Sequence, residues 1–88
     1  MFFKKTPSKS FAIFMEYLVR ASEKYELELY RQDDFEFSEV ILRFFNRSKN
    51  MGYSRHVDFY TLMYCTDPLD FAECVFKEAL EELEIKGE

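Results

Sequence analysis

The sequence predicts a small, mostly α-helical single domain of three or four helices joined by short connections. Its 88 residues include only two glycines and two prolines, whereas all-β sandwiches and barrels need turn residues at roughly 8 to 12-residue spacing. Apolar residues also recur at helical spacing in several stretches. A chain of this length buries only roughly 60 to 65% of its unfolded surface. Its 48% hydrophobic and 19% aromatic residues can nevertheless supply a core.

The first segment is predicted as a helix that begins near Ser8 or Ser10, because either serine is a good N-cap. Charged residues fall on one face of this helix. The other face is mainly apolar and carries Phe11, Phe14, Met15, Leu18, Ser22, Tyr25 and Leu29. The end of this segment is ambiguous, because residues 25–29 also alternate between apolar and acidic as in a half-buried strand.

The second segment is predicted as a helix over residues 37–51, capped by Ser38 and ended by Gly52, a residue type that tolerates the left-handed conformation. One arc of this helix carries Phe37, Val40, Ile41, Phe44, Phe45, Ser48 and Met51. A strand interpretation of the same stretch is set aside because it places Arg43 among the core positions.

The third segment, residues 56–65, is apolar almost all round, so its periodicity does not separate a strand from a helix. The fourth is predicted as a long C-terminal helix: Asp67 caps it, Pro68 takes the first helical position and Asp70 complements the dipole. The alternative architecture is an α+β domain, with three helices packed on a small sheet formed around residues 25–31 and 56–65.

The whole chain, residues 1–88, is expected to be one domain with a flexible tail at 1–7 and a frayed end at 86–88. No apolar run approaches the ~18 uncharged residues of a membrane span, and the N-terminus lacks the pattern of a signal peptide. We therefore expect a cytoplasmic protein without membrane partners. Cys65 and Cys74 are too few for a disulfide framework and are expected to be small buried hydrophobic residues.

Residues that could carry catalysis are sparse, because His56 is the single histidine and the two glycines do not form a phosphate loop. His56, Cys65 and Cys74 lack the paired spacing of a zinc site. We expect no enzyme activity, no metal site and no cofactor.

Charge is distributed unevenly along the chain, which carries a formal net charge of −5. Residues 67–88 contain eight acids against two lysines, a net charge of minus six. An acidic face attracts basic partners and repels nucleic acid. The predicted partner-binding residues on this face are Glu78, Glu81, Glu82 and Glu84.

A basic patch interleaved with aromatic residues is predicted around Gly52, and this combination is typical of nucleic-acid contact. Its members are Arg43, Arg47, Lys49 and Arg55. The same patch could receive the acidic helix of a second copy and so form a homo-oligomer.

The leading hypothesis is a non-catalytic protein-binding domain, an inhibitor whose acidic helix and exposed aromatic residues occlude a basic surface of its target. In length, acidity and lack of motifs the chain is similar in type to toxin-immunity proteins and phage anti-defence proteins, although no residue carries over. The alternatives are a small nucleic-acid-binding or transcriptional regulator that uses the basic patch, with nucleic acid the less favoured partner, and an oligomeric structural or assembly protein.

Overall fold

The computed structural model of the chain describes residues 8–86 and shows an α+β domain. Helix α1 spans Ser8–Lys24, and strands β1 (Glu28–Asp34), β2 (Glu39–Asn46) and β3 (Met51–Asp58) follow. The short helix α2 (Phe59–Met63) and the helix α3 (Pro68–Glu82) complete the order. The predicted tail at 1–7 and the last two residues of the predicted frayed end lie outside the described residues.

The three strands form one antiparallel meander in the order β1-β2-β3. Tyr30 of β1 lies opposite Arg43 of β2, and Arg43 lies opposite Ser54 of β3. Alternation along β2 directs buried residues toward the helices: Val40, Leu42 and Phe44. The side chains that alternate with these point to the opposite face. None of the described helices covers that face, because none of these alternating side chains belongs to the core cluster. Ile41, in the middle of that face, is buried by its neighbours in the sheet.

The core lies between one face of the sheet and the three helices. Phe14 and Leu18 of α1 are fully buried one turn apart, and the ring of Phe14 lies 5.2 Å from that of Phe71 in α3. The ring of Phe76 in α3 meets the edge of Phe44 in β2, with 6.1 Å between centroids. The first and last helices therefore pack side by side over the central strand.

Both long helices end in a Schellman motif, in which two backbone N–H groups bond to carbonyls of the last turn. After α3, Glu84 N–H donates to Glu81 O (3.1 Å) and Ile85 N–H donates to Leu80 O (2.9 Å). After α1, Glu26 N–H donates in the same way to Glu23 O (3.1 Å) and Leu27 N–H donates to Ser22 O (2.8 Å). The φ angle is 58° at Glu26 and 57° at Glu84. Both values lie in the left-handed region where glycine is the usual residue.

The prediction of a mostly α domain is wrong, because the sheet of three strands replaces the second predicted helix. The α+β class that the sequence left as the alternative is the observed one, with a different sheet. Residues 39–46, predicted as helix, form its central strand, and residues 56–58 end β3 before α2 begins.

The physical reason is the alternation of β2. Arg43 is not a core residue in the strand, because it points to the uncovered face while its neighbours Leu42 and Phe44 point to the helices. Ser38, predicted as an N-cap, lies in the β1–β2 turn with φ of 54°. Gly52, predicted to end a helix, lies within β3, and Asn50 takes the left-handed position with φ of 53°.

The first and fourth predicted helices are confirmed. The start of α3 follows the sequence signals closely: Asp67 is the N-cap, its carboxylate accepts the Asp70 N–H at 3.1 Å, and Pro68 opens the helix. Because Tyr25, Leu27 and Leu29 follow the end of α1, the ambiguity noted there marks the transition into β1.

Candidate functional site

Two phenylalanines stand exposed in the turn between β1 and β2. Phe35 is 78% exposed and Phe37 is 68% exposed. The turn is held locally, because the carboxylate of Asp34 accepts the backbone N–H of Phe37 at 3.3 Å, which is a common role for aspartate at the start of a turn. Both rings therefore sit in solvent on an ordered support.

Phe59, the first residue of α2, joins this turn to the rest of the domain. Its backbone N–H donates to Ser38 O at 2.9 Å, and its ring lies 5.9 Å from the ring of Phe35. The carboxylate of Asp58 caps α2 by accepting the N–H of Thr61 at 3.2 Å. These contacts fix α2 beside the turn.

Two further aromatic residues follow one helical turn apart: Tyr60 in α2 and Tyr64, the C-cap residue of this helix. They are 62% and 73% exposed. The contact of Phe35 with Phe59 joins the turn to α2, and we call the four exposed aromatic residues of these two neighbouring segments the aromatic end: Phe35, Phe37, Tyr60 and Tyr64. The sequence placed Phe37 on the apolar arc of a predicted helix and the two tyrosines in the third segment, and it did not predict that these side chains are exposed together with Phe35. The only signal for such a surface was the high aromatic content.

A cleft of about 520 Å³ lies between α2 and the start of α3. Tyr60 and Tyr64 form one wall, and Asp67 and Asp70 lie on the other. Other lining residues include Phe71, Cys65 and Cys74. Among the described residues that line this cleft there are two carboxylates and no basic side chain. The cleft is therefore aromatic and negatively charged.

The four glutamates of the predicted acidic face do not act as one free surface. The Glu78 carboxylate forms an ion pair with Arg55 of β3 and accepts a hydrogen bond from the Tyr53 hydroxyl at 3.2 Å. Glu81, Glu82 and Glu84 are exposed, and they form no ion pair with any described residue. They lie near the far end of α3, away from the aromatic end.

The predicted basic patch is spread over the two faces of the sheet and one turn. Arg43 lies on one face and Arg55 on the other, and the turn between β2 and β3 holds Arg47 and Lys49. Arg55 faces α3, where Glu78 holds it. Arg47 pairs with Glu28 at 2.6 Å, and the Lys49 ammonium donates to the backbone carbonyl of Glu84.

Arg43 has a different setting, on the uncovered face of the sheet, where its guanidinium donates to Gln32 Oε1 at 2.6 Å. It lines a depression of about 360 Å³ together with Tyr30 and Phe45. Of the four predicted residues, Arg43 alone binds neither a carboxylate nor a backbone carbonyl of residues 8–86.

A second groove, of about 590 Å³, runs between α1 and α3. Tyr17 and Lys24 line it from α1, and Glu73 and Lys77 line it from α3. Partial burial, assisted by the negative charge of Glu73, raises the pKa of the Tyr17 hydroxyl above its ordinary value. Acidic and basic groups are mixed along this groove, so it has no single charge preference.

The groups that could carry chemistry are separated. His56 Nδ1 lies 2.7 Å from the Glu39 carboxylate on the exposed face of the sheet. Cys65 is half-buried, and Cys74 is exposed rather than buried as predicted. Within residues 8–86, no three histidine, cysteine or acidic side chains are grouped so as to hold a metal ion.

Within the part of the chain that the structure describes, no helix combines the length and apolar character needed to cross a membrane. Comparisons with protein-family models, with curated proteins and with solved structures give no match for this chain. The candidate site is therefore defined by the geometry of its own residues.

Proposed function

We propose that the protein is a non-catalytic domain that binds another protein through the aromatic end, and that the contacted surface of the partner is basic. The observation that supports this proposal is the exposure of four aromatic side chains, each more than 60% accessible, on one end of the fold. Large exposed apolar patches on small domains mark interaction surfaces.

The exposed rings can gain binding free energy when a partner buries them. Burying one phenylalanine side chain is worth about 1.5–3 kcal/mol, and Phe35 and Phe37 gain little of this within the fold. Aromatic residues also dominate the hot spots of protein interfaces, where they fill pockets at the centre of the contact. The aromatic end thus supplies the anchors that a binding surface needs.

The rim around these aromatic anchors is acidic. Asp67 and Asp70 line the same cleft as Tyr60 and Tyr64. Three further acids are neighbours of the exposed aromatic residues in the chain: Asp34, Glu36 and Asp58. Complementary charge accelerates association and selects partners, so this rim favours a basic surface. If the partner uses that basic surface for its own activity, binding would block it. The protein would then act as a small acidic inhibitor.

Capture of a partner from a lysate of the source cells tests the proposal when the capture is compared between variants. We expect the wild type to retain a protein with a basic surface, and the Phe35→Ser/Phe37→Ser double variant to lose it. Val19→Ser is the matched control, because Val19 is also exposed, at 44%, but lies on α1. Retention should also weaken between 0.1 and about 1 M salt, since screening acts on exposed charges.

Two results would contradict the proposal. Equal retention by the wild type and the double variant would place the binding surface elsewhere. Loss of the same protein from a Glu81→Lys/Glu82→Lys variant, with no effect of the phenylalanine changes, would return the site to the predicted acidic face at the end of α3.

The arrangement of basic residues argues against nucleic acid as the partner. Arg47 and Arg55 are each held by a carboxylate, so their charge is partly neutralised before any phosphate arrives. We expect no retention of single-stranded or duplex DNA or RNA in a gel-shift assay at low salt. Retention that disappears in Arg43→Glu would instead favour the nucleic-acid-binding alternative.

A further inference from the structure

We propose that the cleft between α2 and α3 receives an arginine side chain of the partner protein. The inference rests on the proposed function and gives one contact its chemistry. The cleft is lined by Tyr60 and Tyr64 on one side and by Asp67 and Asp70 on the other. Aromatic faces beside carboxylates are the surroundings that a cationic side chain prefers.

The tyrosines contribute attraction for a cation through their ring faces. An exposed cation–π contact strengthens binding about two- to fivefold, a gain that a neutral ligand does not obtain. Tyr60 and Tyr64 are largely exposed, so a cation can approach them without displacing a described residue. A planar guanidinium stacks on such rings better than a compact ammonium does, which favours arginine over lysine.

The aspartates supply the negative charge of the cleft. One carboxylate oxygen of Asp67 caps α3 by accepting the Asp70 N–H at 3.1 Å. The second oxygen forms no hydrogen bond with a described residue. Asp70 is exposed. The N-terminus of α3 repels a cation with about half a unit charge. Two carboxylates outweigh that repulsion.

The floor of the cleft suits the aliphatic stem of an arginine. Phe71 lines it and is held in place by the ring of Phe14, 5.2 Å away. Long basic side chains pack their methylene groups against apolar surface while the charged group stays in contact with polar groups or water. The volume of about 520 Å³ accommodates one such side chain.

The test is a titration of the full ¹⁵N-labelled chain with the capped pentapeptide Gly-Gly-Arg-Gly-Gly, followed by amide chemical shifts. We expect shift changes confined to residues 60–74 and weak, saturable binding. The matched peptide carries citrulline, which has nearly the same shape as arginine but no charge, and it should cause no saturable change. A lysine peptide should bind more weakly than the arginine peptide.

Two variants probe the two walls. Tyr64→Leu keeps an apolar side chain of similar size but removes the ring, and we expect the peptide affinity to fall about two- to fivefold. Asp70→Asn should lower it to a similar degree. Glu82→Gln, an exposed acid elsewhere on α3, is the control and should leave the affinity unchanged. Thermal unfolding of each variant checks that the fold is retained.

The inference is overturned if the citrulline peptide binds as well as the arginine peptide, or if the shift changes fall outside residues 60–74. Its failure is separable from failure of the proposed function. If Phe35→Ser/Phe37→Ser abolishes partner capture while the arginine peptide leaves the cleft unperturbed, only the cleft assignment is wrong. Binding of the peptide without any captured partner supports the cleft chemistry and contradicts the wider function.

Discussion

Arg55 of β3 and Glu78 of α3 form an ion pair that ties the edge strand of the sheet to the last helix. The Tyr53 hydroxyl donates to the same carboxylate oxygen. Glu78 therefore contributes to holding the fold together, and its charge is partly neutralised by the arginine. Both side chains remain partly exposed, 32% for Arg55 and 49% for Glu78, so solvent screens the pair.

We predict a small coupling energy between these two residues. A double-mutant cycle with Arg55→Gln and Glu78→Gln should give about 0.5 kcal/mol at low salt, the usual range for exposed pairs. The coupling should approach zero near 1 M NaCl, where screening is short-ranged. Urea unfolding measures each variant. The pairing of Arg55→Gln with Glu82→Gln is the control cycle, and a coupling of equal size there would contradict the assignment.

Replacement of Glu84 by glycine should stabilise the domain. Glu84 occupies the left-handed position after α3, where glycine avoids the steric cost of a side chain. We expect a gain of about 1 kcal/mol, which raises the melting temperature by roughly 4–8 °C in a domain of this size.

Two control substitutions separate the backbone effect from that of charge. Glu84→Gln removes the carboxylate but keeps the side chain, so it should recover little of the gain. Glu82→Gly places glycine at the last residue of α3, where the backbone is still helical, and should instead cost about 0.5–1 kcal/mol. Equal stability of Glu84→Gly and Glu84→Gln would show that charge, not conformation, is responsible.

Replacement of Ser22 by alanine should also raise stability. The Ser22 hydroxyl is buried without a hydrogen-bond partner among the described residues, and a buried unpaired polar group costs about 1–3 kcal/mol. Ser10→Ala is the comparison, because the Ser10 hydroxyl donates to Cys65 O at 3.2 Å. Ser22 lies within α1 and also gains helix propensity on substitution, whereas Ser10 lies in the first turn, where serine is tolerated well. Chemical denaturation should therefore place Ser22→Ala above Ser10→Ala by about 1–2 kcal/mol.

Alkaline pH should weaken the fold through Tyr17. Burial, with help from Glu73, raises the pKa of this tyrosine in the folded state, whereas the unfolded value is about 10. Below pH ~10 the hydroxyl is protonated in both states, and the stabilisation is fully present. Above it the unfolded chain loses the proton first, so the free energy of unfolding falls as pH rises.

Urea unfolding from about pH 9 to 11.5 checks this dependence, with Tyr17→Phe as the comparison. The variant should show a shallower alkaline decline than the wild type. The difference in phenolate absorbance between the two proteins follows the titration of Tyr17 itself. Identical declines would contradict a role for this residue.

The helices could be predicted from the sequence where local signals act alone, as at Asp67 and Pro68. The central strand could not, because Val40, Ile41, Phe44 and Phe45 satisfy a helical arc as well as a strand of a sheet. Their β-branched and aromatic character favours a strand, but the decisive factor is pairing with β1 and β3, which is a long-range property. The aromatic end was missed for a related reason, since contact between a turn and α2 joins residues about 24 positions apart.

The side-by-side packing of α1 and α3 has a consequence for how the protein is made. Phe14 and Leu18 find their neighbours on a helix that the ribosome completes some sixty residues later. Until then the apolar stripe of α1 lacks the surface that covers it, and such transiently open stripes attract chaperones or other nascent chains. The cooperative closing step of folding therefore waits for α3, and mutations at the α1–α3 contact should affect the yield of newly synthesised protein more than those in the hairpin turns.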